Sequence, residues 1–217
     1  GKPRWPLQKD RSWTIWICAV MLGLFDLLRL KVNNYIIIDN FFPDDICTEL
    51  REKSLNAKEY NDKYWDYQAL DFDDIPTNPS LKYISDNYIT PKVSLAKNYY
   101  RAWTFVYDNV ALGVFPHADP SFININVWVT PDECVYDHNK NGLKIYKKKA
   151  PKEWTWAEYN RDSNLINEYL KDSKYDRVLY KYNRAVIFRG NTFHSTDSVH
   201  MKPGHENKRV NYTFLYQ

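Results

Sequence analysis

His117, Ala118 and Asp119 are followed 75 residues later by His194 and, 15 residues beyond that, by Arg209. Two imidazoles and one carboxylate make a three-ligand face for Fe(II) that leaves other coordination positions open. A guanidinium fork on a nearby strand can hold the far carboxylate of a dicarboxylic co-substrate. Together these residue types point to O2 activation at a metal that also takes a keto acid such as 2-oxoglutarate. The two-residue spacing matters because alternate residues of a strand project to one side. His117 and Asp119 can then chelate one ion while Ala118 faces away. His-x-Asp alone is as often a surface turn as a ligand pair, so the weight rests on what surrounds it.

The elements that must position these residues read as strands. Phe122 to Thr130 alternates: Ile123, Ile125, Val127 and Val129 take one face, and Phe122, Asn124, Asn126, Trp128 and Thr130 the other. That is a strand signature. Its polar and aromatic face is either the solvent side or a continuation of the face that carries His117 and Asp119, lining a pocket. Asn183 to Phe188 is a second short apolar strand, and Arg189-Gly190-Asn191 is a turn. Lys208 to Tyr216 is a third, with Arg209, Asn211 and Thr213 on one face and Val210, Tyr212 and Phe214 on the other. An Arg that shares a face with amide and hydroxyl groups suits a carboxylate. A lone Arg there would more simply be a surface cation.

Several segments resemble the Fe(II)/2-oxoglutarate-dependent oxygenase superfamily. They are Trp103 to Tyr107, His117 to Asp119, Asn124 to Pro131, Asn141 to Leu143, Tyr182 to Arg184, Phe193-His194 and Arg209 to Thr213. The similarity is greatest to a branch found with tetratricopeptide-repeat proteins and runs from about Asn33 to Tyr216. The resemblance implies a mainly β domain with flanking helices: a double-stranded β-helix, or cupin-like jelly roll. It implies Fe(II) held by His117, Asp119 and His194, with 2-oxoglutarate anchored by Arg209 together with Asn211 or Thr213. It implies a dioxygenase that hydroxylates a C–H bond and releases succinate and CO2. Asp119 favours hydroxylation over halogenation, since related halogenases vacate the carboxylate position. The chain departs from the family pattern twice. Asn211 stands where Ser is common, and Asn141-Gly142 where many relatives have two glycines.

Other residues carry weaker expectations. Asn126 either contacts the 1-carboxylate of the keto acid or serves the sheet. Trp103 and Tyr107 either wall the pocket or pack the core. Arg184 is expected to pair with a carboxylate. His138, His200 and His205 are expected at the surface.

Composition is compatible with one domain. The aromatic content is 17%, with eighteen Tyr and eight Trp, which suits half-buried β surface and aromatic-lined clefts. A formal net charge of +3 without a basic stripe argues against nucleic acid. Cys18, Cys47 and Cys134 fit neither a disulfide framework nor a zinc module. Free thiols favour a reducing, cytoplasmic setting.

The remaining organisation follows from patterning. Asn34 to Asp39 reads as a buried strand, and a helix should enter at Phe42-Pro43-Asp44-Asp45 and run to about Ser54. Lys58 to Pro79 reads as a long acidic and aromatic loop, either a substrate lid or an ordered surface crossing. A short helix is expected at Ser80 to Asn87. A helical insertion is expected at Glu153 to Lys171, packed through Trp154, Trp156, Tyr159, Leu165 and Leu170. The N-terminal segment, residues 1–32, is set apart from the domain at 33–217. Its apolar run, Trp13 to Phe25, is 13 residues long and preceded by Lys2, Arg4, Lys9 and Arg11. A membrane span needs about 20 residues, so a packing helix is expected, with a membrane anchor as the alternative. A start at Gly1 leaves room for a repeat region upstream.

Three function classes follow: the hydroxylase, a non-catalytic interaction module on the same fold, and a cupin-type metalloenzyme that uses no keto acid. The expected substrate is a peptidyl side chain or a small metabolite.

Overall fold

The computed structural model describes residues 26–58, 60, 62–72 and 79–217. Most of the apolar N-terminal segment, with Asp73 and Asp74, lies outside them. The chain enters on a helix at residues 26–33 (α1), followed by β1 (Tyr35–Ile38) and α2 (Asp44–Leu55). A hairpin, β2 (Asp62–Lys63) and β3 (Tyr67–Phe72), precedes α3 (Pro79–Ile84), which a π turn continues through Ser85–Ile89. Strands β4 (Tyr99–Tyr107), β5 (Val110–Ala111), β6 (Ile123–Trp128) and β7 (Leu143–Lys149) come next. Two short helices, α4 (Trp156–Asn160) and α5 (Ser163–Leu170), interrupt the strands. The last five are β8 (Tyr175–Val178), β9 (Ala185–Arg189), β10 (Thr192–Thr196), β11 (Val199–His200) and β12 (Arg209–Tyr216).

A seven-stranded sheet in the order β1-β9-β6-β12-β4-β3-β2 faces two small sheets, β10-β7-β8 and β11-β5. Every pairing in it is antiparallel. This is the expected jelly roll. Its large sheet is covered on both sides, and that explains why β6 and β12 are buried along their whole length. Ile123, Ile125, Val127, Val210, Tyr212 and Phe214 pack with Leu30, Ile46, Leu50, Leu81 and Ile84 from the helices. Trp128 and Tyr107 point the other way and pack with Leu143, Ile145, Val178 and Phe188 between the sheets. The period-2 alternation therefore separates a helix-facing wall from the jelly-roll interior, and the polar face of β6 belongs to that interior, not to solvent.

Several expectations need correction. The segment read as a long loop at Lys58 to Pro79 contains a hairpin. β3 pairs with β4 along its length, Tyr67 opposite Tyr107 and Phe72 opposite Ala102. Its polar residues masked the alternation, because its outer neighbour is only the two-residue strand β2. The hairpin tip is an ordered crossing: Asp66 accepts from the backbone N–H groups of Leu112 and Gly113. β1 is an edge strand with Ile36 buried and Ile37 exposed, since no strand lies beyond it. In the insertion, Trp154, Tyr159 and Leu170 do pack inward, but the second buried residue of α5 is Ile166, and Leu165 is half-buried. The cap sets that register: Asp162 accepts from the Leu165 N–H. Trp156 lies at the surface, stacked on Arg161 at 4.4 Å.

α1 sends Leu30 into the helix-side core. No helix among the described residues is long and apolar enough to cross a membrane. Cys47 and Cys134 are buried free thiols, and burial pushes Cys47 up to about 11.

Arg184 forms the expected ion pair. Its Nε donates to Asp39 Oδ1 at 2.7 Å and Nη2 to Oδ2 at 3.1 Å, with Lys181 Nζ on Oδ2 at 2.9 Å. Arg184, then Lys181, holds the Asp39 carboxyl down at about 2, against 3.8 ordinarily. A depressed carboxylate stabilises the fold above its unfolded pKa, and the contribution disappears as pH falls through the folded value. The site is partly solvated, so the stabilisation is about 1 kcal/mol or less. Urea midpoints of Asp39→Asn should therefore depend less on pH than the parent's between about pH 4 and about pH 2. An unchanged acid limb would remove Asp39 from that account.

Candidate functional site

His117 and His194 face each other across an antiparallel bridge. The His117 N–H donates to His194 O at 3.0 Å, and the His194 N–H to His117 O at 2.9 Å. Directly opposed residues project to the same side, and the two rings lie 4.3 Å apart. Asp119 follows two residues on, where its N–H donates to Gly190 O at 2.8 Å. Gly190 permits that approach, since a Cβ there would meet Ser121 O at 2.2 Å. Ala118 faces away and is clamped by the insertion: its N–H donates to Tyr159 O, and its carbonyl accepts from Asn160 Nδ2.

The side chains converge as the sequence predicts. His117 Nε2 is 3.7 Å from Asp119 Oδ1, and His194 Nε2 is 3.4 Å from Oδ2. One ligand atom from each of the three residues falls within 4.8 Å of the others. His117 Nδ1 donates to Phe115 O at 2.7 Å and His194 Nδ1 to Thr192 O at 3.1 Å. With a proton on each Nδ1, both Nε2 lone pairs face Asp119, as metal ligation requires. Burial, then the nearby His117, holds His194 well below the ordinary histidine range. The ring stays neutral and ready to ligate. Burial pushes the Asp119 carboxyl up, against the pull of His117 and of the Asn124 amide that donates to Oδ2. Its Oδ1 is buried without a hydrogen-bond donor. A buried carboxylate oxygen of that kind is costly unless a cation meets it, so the donor set fits a divalent metal.

Arg209 lies in the jelly-roll interior at 0% exposure. Nε donates to Asn141 O and Nη1 to Asn211 Oδ1, both at 2.8 Å, while Nη2 has no partner. Its guanidinium stacks on Tyr107 at 4.5 Å, with Trp128 at 5.8 Å and Tyr180 at 6.0 Å. Among the described residues no carboxylate pairs with it. An unpaired buried ion costs several kcal/mol, against a net stability of about 5–15 kcal/mol for a domain. Stability alone does not explain such a residue, whereas an anionic ligand does.

The other predicted residues fall on the same inner face. Asn126 Nδ2 donates to Thr213 Oγ1 at 2.9 Å, leaving its Oδ1 unmet. The Thr213 hydroxyl can equally donate, so the amide can turn over and present Nδ2. Tyr107 walls the interior and Trp103 is only half-buried. His138 and His205 are exposed, and His200 is half-buried against Tyr136 at 4.6 Å.

Sequence reasoning placed Trp128 and Asn124 on this face without giving either a role, and missed Thr192 and Tyr180. Trp128 Nε1 and Thr192 Oγ1 are buried without partners. Both lie at positions that alternation assigns inward, Trp128 two residues after Asn126 and Thr192 two before His194. Tyr180, outside any strand, gave no such signal. Asn141 takes the left-handed conformation expected of a glycine, φ 70°. Its side chain is used as well, with Oδ1 accepting from the His200 N–H and Nδ2 donating to Asp137 O. Its carbonyl then orients Arg209. Gly142 permits close packing, because a Cβ would lie 2.0 Å from Val178 O.

Beside Asp119 a cleft of about 540 Å³ opens between the Asp119–Phe122 turn and the insertion, with Trp154 and Tyr159 on its wall.

No family model matches the chain, and no curated protein sequence does. Solved structures share its fold. The non-heme alpha-ketoglutarate-dependent epimerase SnoN from nogalamycin biosynthesis gives a TM-score of 0.64 at 11% identity, over 93% of this chain and 83% of that one. HygX from Streptomyces hygroscopicus, with nickel and 2-oxoglutarate bound, gives 0.61 at 8% identity, over 87% and 84%. A prolyl-4-hydroxylase from Pseudomonas putida gives 0.53 at 11%, over 91% and 98%. At these identities the likeness is one of fold.

Proposed function

The chain has the fold of the 2-oxoglutarate/Fe(II) oxygenases, and from that premise we propose that it is an Fe(II)- and 2-oxoglutarate-dependent dioxygenase that hydroxylates a C–H bond. The observation that carries this reading is a pair of unmet needs in one interior. A His-Asp-His set has a carboxylate oxygen without a donor, and a buried guanidinium lacks an anion. An interaction module has no use for either. A cupin-type metalloenzyme that takes no keto acid needs the first and not the second. The structural relatives support the cofactor assignment, since HygX holds nickel and 2-oxoglutarate in its structure. SnoN is an epimerase, so the fold serves other outcomes; the carboxylate at Asp119 favours hydroxylation over halogenation.

When bound, the metal and keto acid supply an oxidant strong enough for an unactivated C–H bond, with release of succinate and CO2. His117, Asp119 and His194 hold the metal. The carbonyls of Phe115 and Thr192 fix the imidazole tautomers, and Asn124 steadies the carboxylate. Arg209 Nη2 receives the distal carboxylate, and Asn211 holds the fork in place. Phe188, 4.6 Å from the His194 ring, keeps water from that side.

Trp128 Nε1 is the second unpartnered donor beside Arg209, and we assign it to the same carboxylate. Trp128→Phe removes the N–H together with the rest of the indole's five-membered ring and keeps an aromatic side chain in the core. It should weaken 2-oxoglutarate binding about five- to tenfold, the effect of one lost hydrogen bond, and lower the thermal midpoint by a few degrees for the atoms lost from a fully buried side chain. Equal affinity by calorimetry would remove Trp128 from the site.

The reading as a whole is tested by oxygen-free reconstitution with Fe(II) and 2-oxoglutarate. The expected result is a weak visible charge-transfer band in the wild type that is absent in His194→Ala, with succinate formed on exposure to air. A folded, iron-loaded protein without the band would overturn the reading in favour of the other two classes.

A further inference from the structure

The cleft beside Asp119 has a charge character that the metal ligands do not require. Phe122, Trp154 and Tyr159 give it aromatic walls, and Asp119 is its one acidic side chain. One cation lines it and two more adjoin lining residues. Lys152 lines it directly, and Arg189 lies over the Phe122 ring at 5.5 Å. Lys149 immediately precedes the lining residue Ala150. Lys149 and Arg189 are near enough to repel: burial, then Arg189, lowers the affinity of the Lys149 ammonium for its proton. Among the described residues none of the three makes a side-chain hydrogen bond or ion pair. The neighbouring lysines of the same strand are both engaged, Lys147 with Asp176 and Lys148 with the Tyr169 carbonyl. Adjacent like charges without a counter-ion raise the energy of the empty cleft. An anion placed between them removes that cost, and the field also draws it in.

We infer that the substrate is a small organic anion, an apolar or aromatic skeleton that carries a carboxylate or phosphoryl group. Arg189, Lys149 and Lys152 receive the charge, and Phe122, Trp154 and Tyr159 receive the skeleton. The cleft's 540 Å³ falls within the range of small-molecule sites. That this ligand is the substrate rests on the oxygenase reading; that the cleft binds it does not.

The test is calorimetric titration of the full chain with four probes of similar size: 4-phenylbutyrate, 3-phenylpropylphosphonate, 4-phenylbutanol and 4-phenylbutylamine. At least one anion should bind about tenfold or more tightly than the alcohol, with the amine weakest. In the double variant Arg189→Gln, Lys149→Gln the preference should fall to about twofold or less. It should persist in Arg209→Met, which separates the cleft from the buried arginine. The ranking of carboxylate against phosphonate identifies the anionic group. Equal affinity for anion and alcohol, no binding of either anion, or a preference that survives the double variant would each overturn the inference. The affinity for 2-oxoglutarate, measured on the same protein, reports on the oxygenase reading separately. If 2-oxoglutarate binds without any anion preference, only the substrate class falls. Anion preference without 2-oxoglutarate binding sinks the oxygenase assignment and leaves the cleft as an anion site.

Discussion

Arg209→Met is expected to weaken 2-oxoglutarate binding about a hundredfold, while the ligand-free protein melts within a few degrees of the parent. The two effects have different origins. Binding loses a charge-assisted contact to a carboxylate out of water, about 2–3 kcal/mol, which is roughly thirty- to two-hundredfold in affinity. Folding loses two hydrogen bonds, to Asn141 O and Asn211 Oδ1, but it also sheds the burial of an unpaired ion. Substituting apolar side chains for buried charges is often neutral or stabilising. Met also retains contact with Tyr107, Trp128 and Tyr180. For a chain of this size about 1 kcal/mol moves the midpoint by about 2–4 °C, so the net shift stays small. Calorimetric titration and thermal melts of both proteins decide it. A collapse in stability with affinity intact would make Arg209 a structural residue and end its role as a carboxylate anchor.

The second large effect concerns Asp119. In the parent, a saturating divalent ion such as Mn(II), at about 100 times its dissociation constant, should add about 2.7 kcal/mol of stability. That is a rise of roughly 5–10 °C for this chain. In Asp119→Ala the rise should vanish, because two imidazoles alone cannot match three ligands, while the metal-free midpoint stays level or rises. The metal-free protein holds a buried carboxylate whose pKa is pushed up by desolvation, so its removal is not a loss to folding. The pH dependence follows with its sign. A raised folded pKa stabilises the metal-free protein fully below the unfolded value of 3.8, and that contribution is lost as pH rises through the folded pKa. The metal needs the ionised form. Its stabilising effect should therefore shrink as pH falls toward the raised pKa. An undiminished Mn(II) shift in Asp119→Ala would place the ion elsewhere.

Much of this was legible because the fold writes itself in a period of two. On β6, isoleucine and valine alternate with Asn124, Asn126 and Trp128, and the structure sends the first set to the helices and the second inward. The same parity placed Arg209, Asn211 and Thr213 together. What the sequence hid were contacts made across the fold by residues without a pattern of their own. Tyr180 reaches Arg209 from an irregular segment. The β2–β3 hairpin reads as a loop because Asp71 and Gln68 interrupt its apolar residues, and only pairing with β4 makes it a strand. Trp156 reads as core by composition, but the register set by the caps of α4 and α5 leaves it outside.

One consequence of the two-faced sheet concerns how this protein tolerates change. β6 and β12 carry adjacent residues with separate tasks. Val127 and Tyr212 hold the helices on, whereas Asn126, Trp128 and Asn211 serve the interior. Neighbours in sequence are therefore nearly independent in effect. Substitutions along these strands should alternate between variants that are less soluble yet still bind and variants that fold well yet bind nothing. Drift in ligand preference can then accumulate on one face while the other preserves the scaffold, which accords with a fold retained here at about one-tenth identity to its structural relatives.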